Sequence, residues 1–148
     1  MIKLYIKVDL LNQTINLLKE FTDKERIVLW IGNRTDQGYV VNEIYLPLQH
    51  TREDYFNIPE EGMELIMSKL KTSRQMLVAQ IHTHPFEAFH SRADDNWAIL
   101  RHVNAYSLVL PYFCSTTNES NFKVDVASFV LNESNNWIEI DNSNLIIL

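Results

Sequence analysis

The feature that most restricts the fold of this chain is the alternation of short apolar runs with segments of helical periodicity. Residues 27–31 and 76–81 are predominantly apolar, the pattern of strands buried on both faces. Residues 9–21 and 60–70 instead carry apolar side chains at three- and four-residue steps, which predicts amphipathic helices. The alternation predicts an α/β (α+β) fold.

The remaining segments complete this outline. Residues 2–8 predict an edge or half-exposed strand, and residues 39–46 pair with 27–31 as a hairpin through the turn Asp36-Gln37-Gly38. We expect a surface loop over 47–59, where polar residues predominate. The predicted elements that follow residue 90 are a short helix over 91–102 and strands over 105–113, 122–131, 137–140 and 145–148. Without a repeat or linker, residues 1–148 are predicted to be a single domain.

Composition excludes several classes of function. Thirteen basic and 19 acidic residues give a net charge of −6 with no basic stripe, so a nucleic-acid partner is not expected. We also expect no membrane partner, because the apolar runs fall short of the roughly 18 residues that a span needs. The N-terminus alternates and lacks a signal-peptide block, which predicts a cytoplasmic protein. A single cysteine directs any metal chemistry towards histidines and carboxylates.

Two histidines mark the first candidate site. His82 and His84 are two residues apart at the end of a predicted strand, so both imidazoles project from one face and can bind one metal ion. By itself, this spacing also fits two ordinary polar residues at a strand end.

A serine and an aspartate follow the histidines. Ser91 and Asp94 are three residues apart at the start of a predicted helix, and Pro85 ends the strand before them. Two histidines and one aspartate would leave an open position on a tetrahedral zinc, the mark of a catalytic site. Taken alone, the serine and aspartate are more typical of a capping box that starts the helix.

Together these residues resemble a known signature. His82-x-His84-Pro85 followed by Ser91-x-x-Asp94 is similar to the motif of the JAB/MPN (JAMM) metalloproteases, His-x-His followed by Ser-x-x-Asp. The family also has a glutamate seven residues ahead of a glycine that ends the first core strand, and Glu25 and Gly32 are in that register. The order of predicted elements agrees over most of residues 9–113.

The resemblance implies a fold and a mechanism. It implies an MPN/JAB-like domain with a mixed central sheet flanked by helices, the cytidine-deaminase-like architecture. It also implies one Zn²⁺ per chain, held by His82, His84 and Asp94. Glu25 would be the general base on the zinc-bound water, and Ser91 would hydrogen-bond the tetrahedral intermediate. Without the resemblance, Glu25 reads as one solvated charge in a charged cluster.

Two departures from the family pattern stand out. Six residues separate His84 from Ser91, one fewer than usual, so the family's histidine-to-aspartate distance would select Asp95 as ligand and put Arg92 in the serine position. We prefer Asp94, since Ser-x-x-Asp is a rigid helical unit and a loop shortens at little cost. The Cys-Gly that often follows the family glutamate is also absent, which concerns packing more than chemistry.

Other candidates are weaker. Cys114 and His102 could form a thiol–imidazole pair, but a lone cysteine is more often a small buried apolar residue. The histidines without a partner pattern are His50, His90 and His102. Three residues between the motif halves could face substrate or anchor the loop, namely Phe86, Phe89 and His90.

Two functions from different classes follow. The resemblance implies a zinc-dependent peptidase or isopeptidase that cleaves after the C-terminal tail of a ubiquitin-like protein, in a bacterial anti-phage system with its own activating and conjugating enzymes. The alternative is a catalytically silent MPN-type scaffold that binds proteins. Zinc content distinguishes them.

Overall fold

The computed structural model describes residues 2–91, 94 and 98–148. The helices are α1 (Val8–Lys19), α2 (Glu60–Ser73) and α3 (Phe122–Asp125), with 3-10 turns at Tyr112–Cys114 and Asn142–Asn144. The strands are β1 (Lys3–Ile6), β2 (Ile27–Arg34), β3 (Gly38–Tyr45), β4 (His50–Arg52), β5 (Tyr55–Asn57), β6 (Met76–Thr83), β7 (Tyr106–Leu110), β8 (Ala127–Leu131), β9 (Trp137–Ile140) and β10 (Leu145–Ile147).

One mixed sheet organises the molecule. Its strand order is β10-β1-β3-β2-β6-β7-β8-β9, and β4 pairs with β5 in a separate hairpin. Strand β6 lies between β2, which runs antiparallel to it, and β7, which runs parallel. The predicted mixed sheet flanked by helices is confirmed, and the strand that carries His82 is central in it.

The two long helices cover opposite faces of the sheet. Val28 and Trp30 of β2 pack with α1 in a large core cluster, whereas Ile27 and Leu29 alternate with them and pack with Ile66 of α2. Successive strand side chains point to opposite faces, so one strand serves both clusters. On β6, Ile81 belongs to the α1 cluster. His82 therefore points to the face covered by α2.

Gly32 lies within β2 and does not end it, which corrects the expectation that the strand stops at this glycine. The register between β2 and β3 shifts between Ile31 and Gly32. A Cβ atom on Gly32 would lie 1.9 Å from the carbonyl oxygen of Val40. Only glycine therefore allows β3 to approach this closely.

The strand predicted over 2–8 as an edge or half-exposed strand is β1, and its half-exposed character is confirmed; β3 and β10 flank it in parallel. Two further predictions were wrong. The loop predicted over 47–59 contains the hairpin of β4 and β5, whose three-residue strands are too exposed to show an apolar pattern. The strand predicted over 122–131 begins as helix α3, where the Val126 N–H donates to the Phe122 carbonyl.

The helix predicted over 91–102 is not present over 98–102, which have no regular structure. The backbone N–H of Ile99 donates to the side-chain oxygen of Gln80, at 3.0 Å, and not to a helical carbonyl. Residues 92, 93 and 95–97 lie outside the described part of the chain. Among the helices that the structure describes, none is long and apolar enough to cross a lipid bilayer.

Candidate metal centre

The two histidines of the His-x-His sequence are buried where β6 ends. His82 is fully buried and His84 is 4% exposed. His82 pairs with Ile27 of β2 and with Val109 of β7, and the backbone N–H of His84 donates to the Leu110 carbonyl at 2.9 Å. Because strands on both sides hold the backbone, the positions of the two imidazoles are fixed by the sheet.

Three ligand atoms converge on one point. His82 Nε2 and His84 Nε2 are 3.3 Å apart, and each lies 3.1 Å from Asp94 Oδ2. Zinc bonds of about 2.0–2.1 Å in tetrahedral geometry place ligand atoms about 3.3 Å apart, so this triangle matches one face of a zinc tetrahedron. Two imidazole nitrogens and a carboxylate oxygen this close in a buried site need a proton or a cation between them. The residues therefore fit a divalent metal ion.

Asp94 is held towards the histidines by Ser91. The Ser91 backbone N–H donates to Asp94 Oδ2 at 2.9 Å, and the Asp94 backbone N–H donates to Ser91 Oγ at 3.1 Å. This reciprocal pair is the hydrogen bonding of a capping box, with aspartate in place of glutamate. The capping and ligand interpretations are therefore compatible, because the same carboxylate oxygen faces both Ser91 and the histidines.

Glu25 reaches the same site from the start of β2. The backbone of the next residue, Arg26, exchanges two hydrogen bonds with Thr83 at the end of β6, each 3.1 Å long. The Glu25 N–H donates to the carbonyl of Arg52 in the β4–β5 hairpin at 2.7 Å. Glu25 is 5% exposed and is not the solvated charge that its neighbours in sequence suggest.

The pKa values of the two carboxyl groups of the site, Glu25 and Asp94, are shifted in opposite directions. Burial raises the pKa of Glu25 to about 7; the charge of His84 lowers it, and those of Asp94 and Asp54 raise it further. Burial alone would also raise the pKa of Asp94, but hydrogen bonds from His82 and His84 hold it well below its usual range. Carboxyl groups with such divergent environments are typical of an acid–base site.

Two cavities meet at Glu25 and Ser91. The larger, about 550 Å³, extends from these residues and Asp94 towards α2 and the β4–β5 hairpin. Its apolar wall is formed by Tyr55, Phe56, Ile58, Met63, Ala98 and Ile99. The smaller, about 200 Å³, also borders His84 and reaches the exposed rings of Phe86 and Phe89. A substrate lying across both cavities would pass the buried carboxylate.

The structure thus brings together the residues proposed from the sequence: Glu25, His82, His84, Ser91 and Asp94. The other aspartate candidate, Asp95, and Arg92 lie outside the described residues. Two neighbours border the site: His90, which the sequence suggested only as a residue that faces substrate or anchors the loop, and Gln80, which sequence reasoning missed. The His90 ring lies 6.2 Å from that of His82, and Gln80 is 1% exposed beside the cavity. Period-two alternation places Gln80 on the His82 face, a signal that could have indicated its role.

The weaker candidates lie elsewhere. Burial raises the pKa of the Cys114 thiol to about 11, as suits a small buried residue and not a nucleophile. His102 Nε2 lies 2.9 Å from the carbonyl oxygen of Leu77, and His50 is exposed on β4.

Comparison with known proteins gives one relative in sequence and several in structure. No family model matches the chain. A Sinorhizobium fredii protein named "Probable metalloprotease y4jG" is 33% identical over 123 residues, which are 80% of this chain and 74% of that protein. Two solution structures share the fold at 13% identity. One, of a Desulfitobacterium hafniense protein, has a TM-score of 0.71 and covers 98% of this chain and 92% of its own. The other, from Salinibacter ruber, has a TM-score of 0.61 with coverages of 97% and 91%.

Proposed function

Because the chain belongs to the metalloprotease family of the Sinorhizobium fredii protein, we propose that it is a zinc-dependent peptidase or isopeptidase of the JAB/MPN type. The observation that carries the proposal is the buried triangle of His82, His84 and Asp94 with the Glu25 carboxyl beside it. Metal ligation and a carboxylate positioned as general base are two components of metal-assisted peptide hydrolysis.

Two imidazoles and one carboxylate suit zinc and leave a coordination position open. His82, His84 and Asp94 would hold the ion. When bound, zinc would lower the pKa of a water molecule and polarise the scissile carbonyl.

Glu25 would accept the proton of the attacking water and return it to the leaving nitrogen. Its position beside both cavities suits this role, because the carboxylate borders the path of a bound substrate. The positive charge of the metal would oppose the effect of burial and keep more of the Glu25 carboxylate ionised near neutral pH. Ser91 Oγ accepts a hydrogen bond from the backbone N–H of Asp94, so the hydroxyl hydrogen of Ser91 can be donated to the developing oxyanion.

The substrate of the proposed enzyme is the C-terminal tail of a ubiquitin-like protein or its conjugates. An extended tail would lie in the larger cavity, adding as a strand beside β5, whose three residues border it. The Asp54 carboxylate and the net charge of −6 favour a tail with basic residues. On the family resemblance, the activating and conjugating enzymes of a bacterial anti-phage system are the proposed partners.

Replacing Glu25 by glutamine tests the proposal. Glu25→Gln keeps the side-chain volume and removes the base, so the zinc content should stay near one per chain while cleavage falls by at least about 100-fold. Zinc would be measured by mass spectrometry of the metal, and cleavage with fusions of ubiquitin-like proteins encoded near this gene. Full activity of zinc-loaded Glu25→Gln would contradict the assignment. A wild-type protein that binds no zinc would favour the silent scaffold.

A further inference from the structure

A buried glutamine connects both ends of the segment that carries Ser91 and Asp94. Gln80 Oε1 accepts the backbone N–H of Ile99 at 3.0 Å, and Gln80 Nε2 donates to Ser107 Oγ at 3.0 Å. His90 Nε2 lies 2.9 Å from the same Ser107 oxygen. The chain of contacts therefore runs from Ile99 through Gln80 and Ser107 to His90, and these two ends enclose the Ser91–Asp94 pair.

The chemistry of the groups sets the orientation of the amide. A backbone N–H can only donate, so the oxygen of Gln80 must face Ile99 and its NH₂ must face Ser107. Gln80 is 1% exposed and Ser107 is fully buried. Both lie on central strands at paired positions of β6 and β7. The connection is therefore anchored in the rigid sheet, two residues before His82.

Aromatic packing holds the His90 end as well. The His90 ring lies 4.9 Å from the Phe129 ring of β8 and 5.2 Å from the Trp137 ring of β9. The next residue, Ser91, exchanges two hydrogen bonds with Asp94, whose Oδ2 faces both histidines. The position of the third ligand atom thus depends on where His90, the neighbour of Ser91, is fixed.

We infer that Gln80, Ser107 and His90 form a positioning network that holds Asp94 in the geometry required for metal binding. The inference rests on the proposed metal site and assigns to these residues no contact with substrate. Groups that orient metal ligands commonly change metal affinity by about 10- to 100-fold when they are removed. The network should act in the same way, although it acts through the backbone of the ligand segment.

Metal titration of the protein purified in chelator tests the inference. Gln80→Leu keeps a similar volume and removes both amide contacts, so the Kd for Zn²⁺ should rise by about 10- to 100-fold. His90→Phe keeps the ring between Phe129 and Trp137 and removes the contact to Ser107, so the Kd should rise by about 10-fold. Since the residues act as one unit, the double variant should bind Zn²⁺ with the same Kd as Gln80→Leu.

Thr14→Val provides a matched control. Thr14 is a fully buried residue of α1, on the opposite face of the sheet; its hydroxyl donates to the Leu10 carbonyl and accepts from Trp30 Nε1 of β2. Its replacement also removes two hydrogen bonds, so it should lower the Tm of the metal-free protein and leave the Kd for Zn²⁺ unchanged. Co²⁺ absorption reports the coordination geometry independently, and its spectrum should change in Gln80→Leu and not in Thr14→Val.

A wild-type Kd in both Gln80→Leu and His90→Phe would overturn the positioning role even if the Tm falls. If Gln80→Leu does not fold, His90→Phe alone decides the question, because its ring packing is retained. Wild-type protein without metal affinity would instead contradict the proposed metal site, so the two failures are distinguishable.

Discussion

At the level of single residues, the buried Glu25 carboxyl opposes folding in the absence of metal. Its pKa is raised from 4.5 to about 7, so ionising it costs more in the folded state than in the unfolded one. Stability is therefore lost as the pH rises from about 4.5 to about 7, and the loss is complete above that. Glutamine carries no charge, so Glu25→Gln should remove this pH-dependent loss.

The expected gain in the free energy of unfolding of metal-free Glu25→Gln is near zero at pH 4 and about 2 kcal/mol at pH 8, allowing for residual solvent screening. Urea unfolding in chelator at both pH values measures it. Glu64→Gln, the same substitution on the exposed face of α2, is the control. A Glu25→Gln difference that does not vary with pH would contradict the raised pKa.

The third metal ligand is also a question at the residue scale. Asp94 Oδ2 lies 3.1 Å from both histidine nitrogens, so Asp94→Asn should lose most zinc affinity and measurable turnover. Asp95→Asn should retain zinc and lose at most about 10- to 100-fold in activity. Zinc content and cleavage of both variants are the measurements. The reverse result would make Asp95 the ligand and place Arg92 in the serine position.

At the level of elements, the approach of β3 to β2 depends on Gly32. A methyl group there would meet the carbonyl oxygen of Val40 at 1.9 Å, which requires the two strands to separate. We expect Gly32→Ala to lower the free energy of unfolding by about 3 kcal/mol or more. Thermal unfolding measures the loss. As a control, Gln37→Ala in the exposed turn of the same hairpin should change the free energy of unfolding little. Equal stabilities of the two variants would show that β2 accommodates a side chain.

At the level of the whole molecule, metal binding should stabilise the fold because the unfolded chain lacks the assembled site. Zinc at about 1,000 times its Kd adds about 4 kcal/mol, which corresponds to a rise in Tm of roughly 8–16 °C for a domain of this size. The rise should disappear in the His82→Ala/His84→Ala double variant. His50→Ala removes an exposed histidine and should retain the rise in Tm. Differential scanning calorimetry with and without zinc makes the comparison, and a full rise in the double variant would place the ion elsewhere.

Local spacing by itself determined much of this protein. Side chains of a strand alternate between its faces with a period of two residues, which places His82 and His84 on one face. The three-residue step from Ser91 to Asp94 allows their reciprocal hydrogen bonds. The buried β2 strand and the amphipathic helix α1 were predicted for the same reason, since hydrophobic periodicity is a short-range property.

Only the tertiary structure decided which distant segments meet. Glu25 is 57 residues from His82 in sequence and lies in a cluster of charges, yet pairing between the ends of β2 and β6 buries it beside the histidines. The contacts of Gln80 with Ser107 and Ile99, and the placement of β1 between β3 and β10, arise in the same way. Long-range pairing depends on the free energy of the whole assembled sheet. A local sequence pattern indicates that a segment is a strand but does not indicate which strands pair with it.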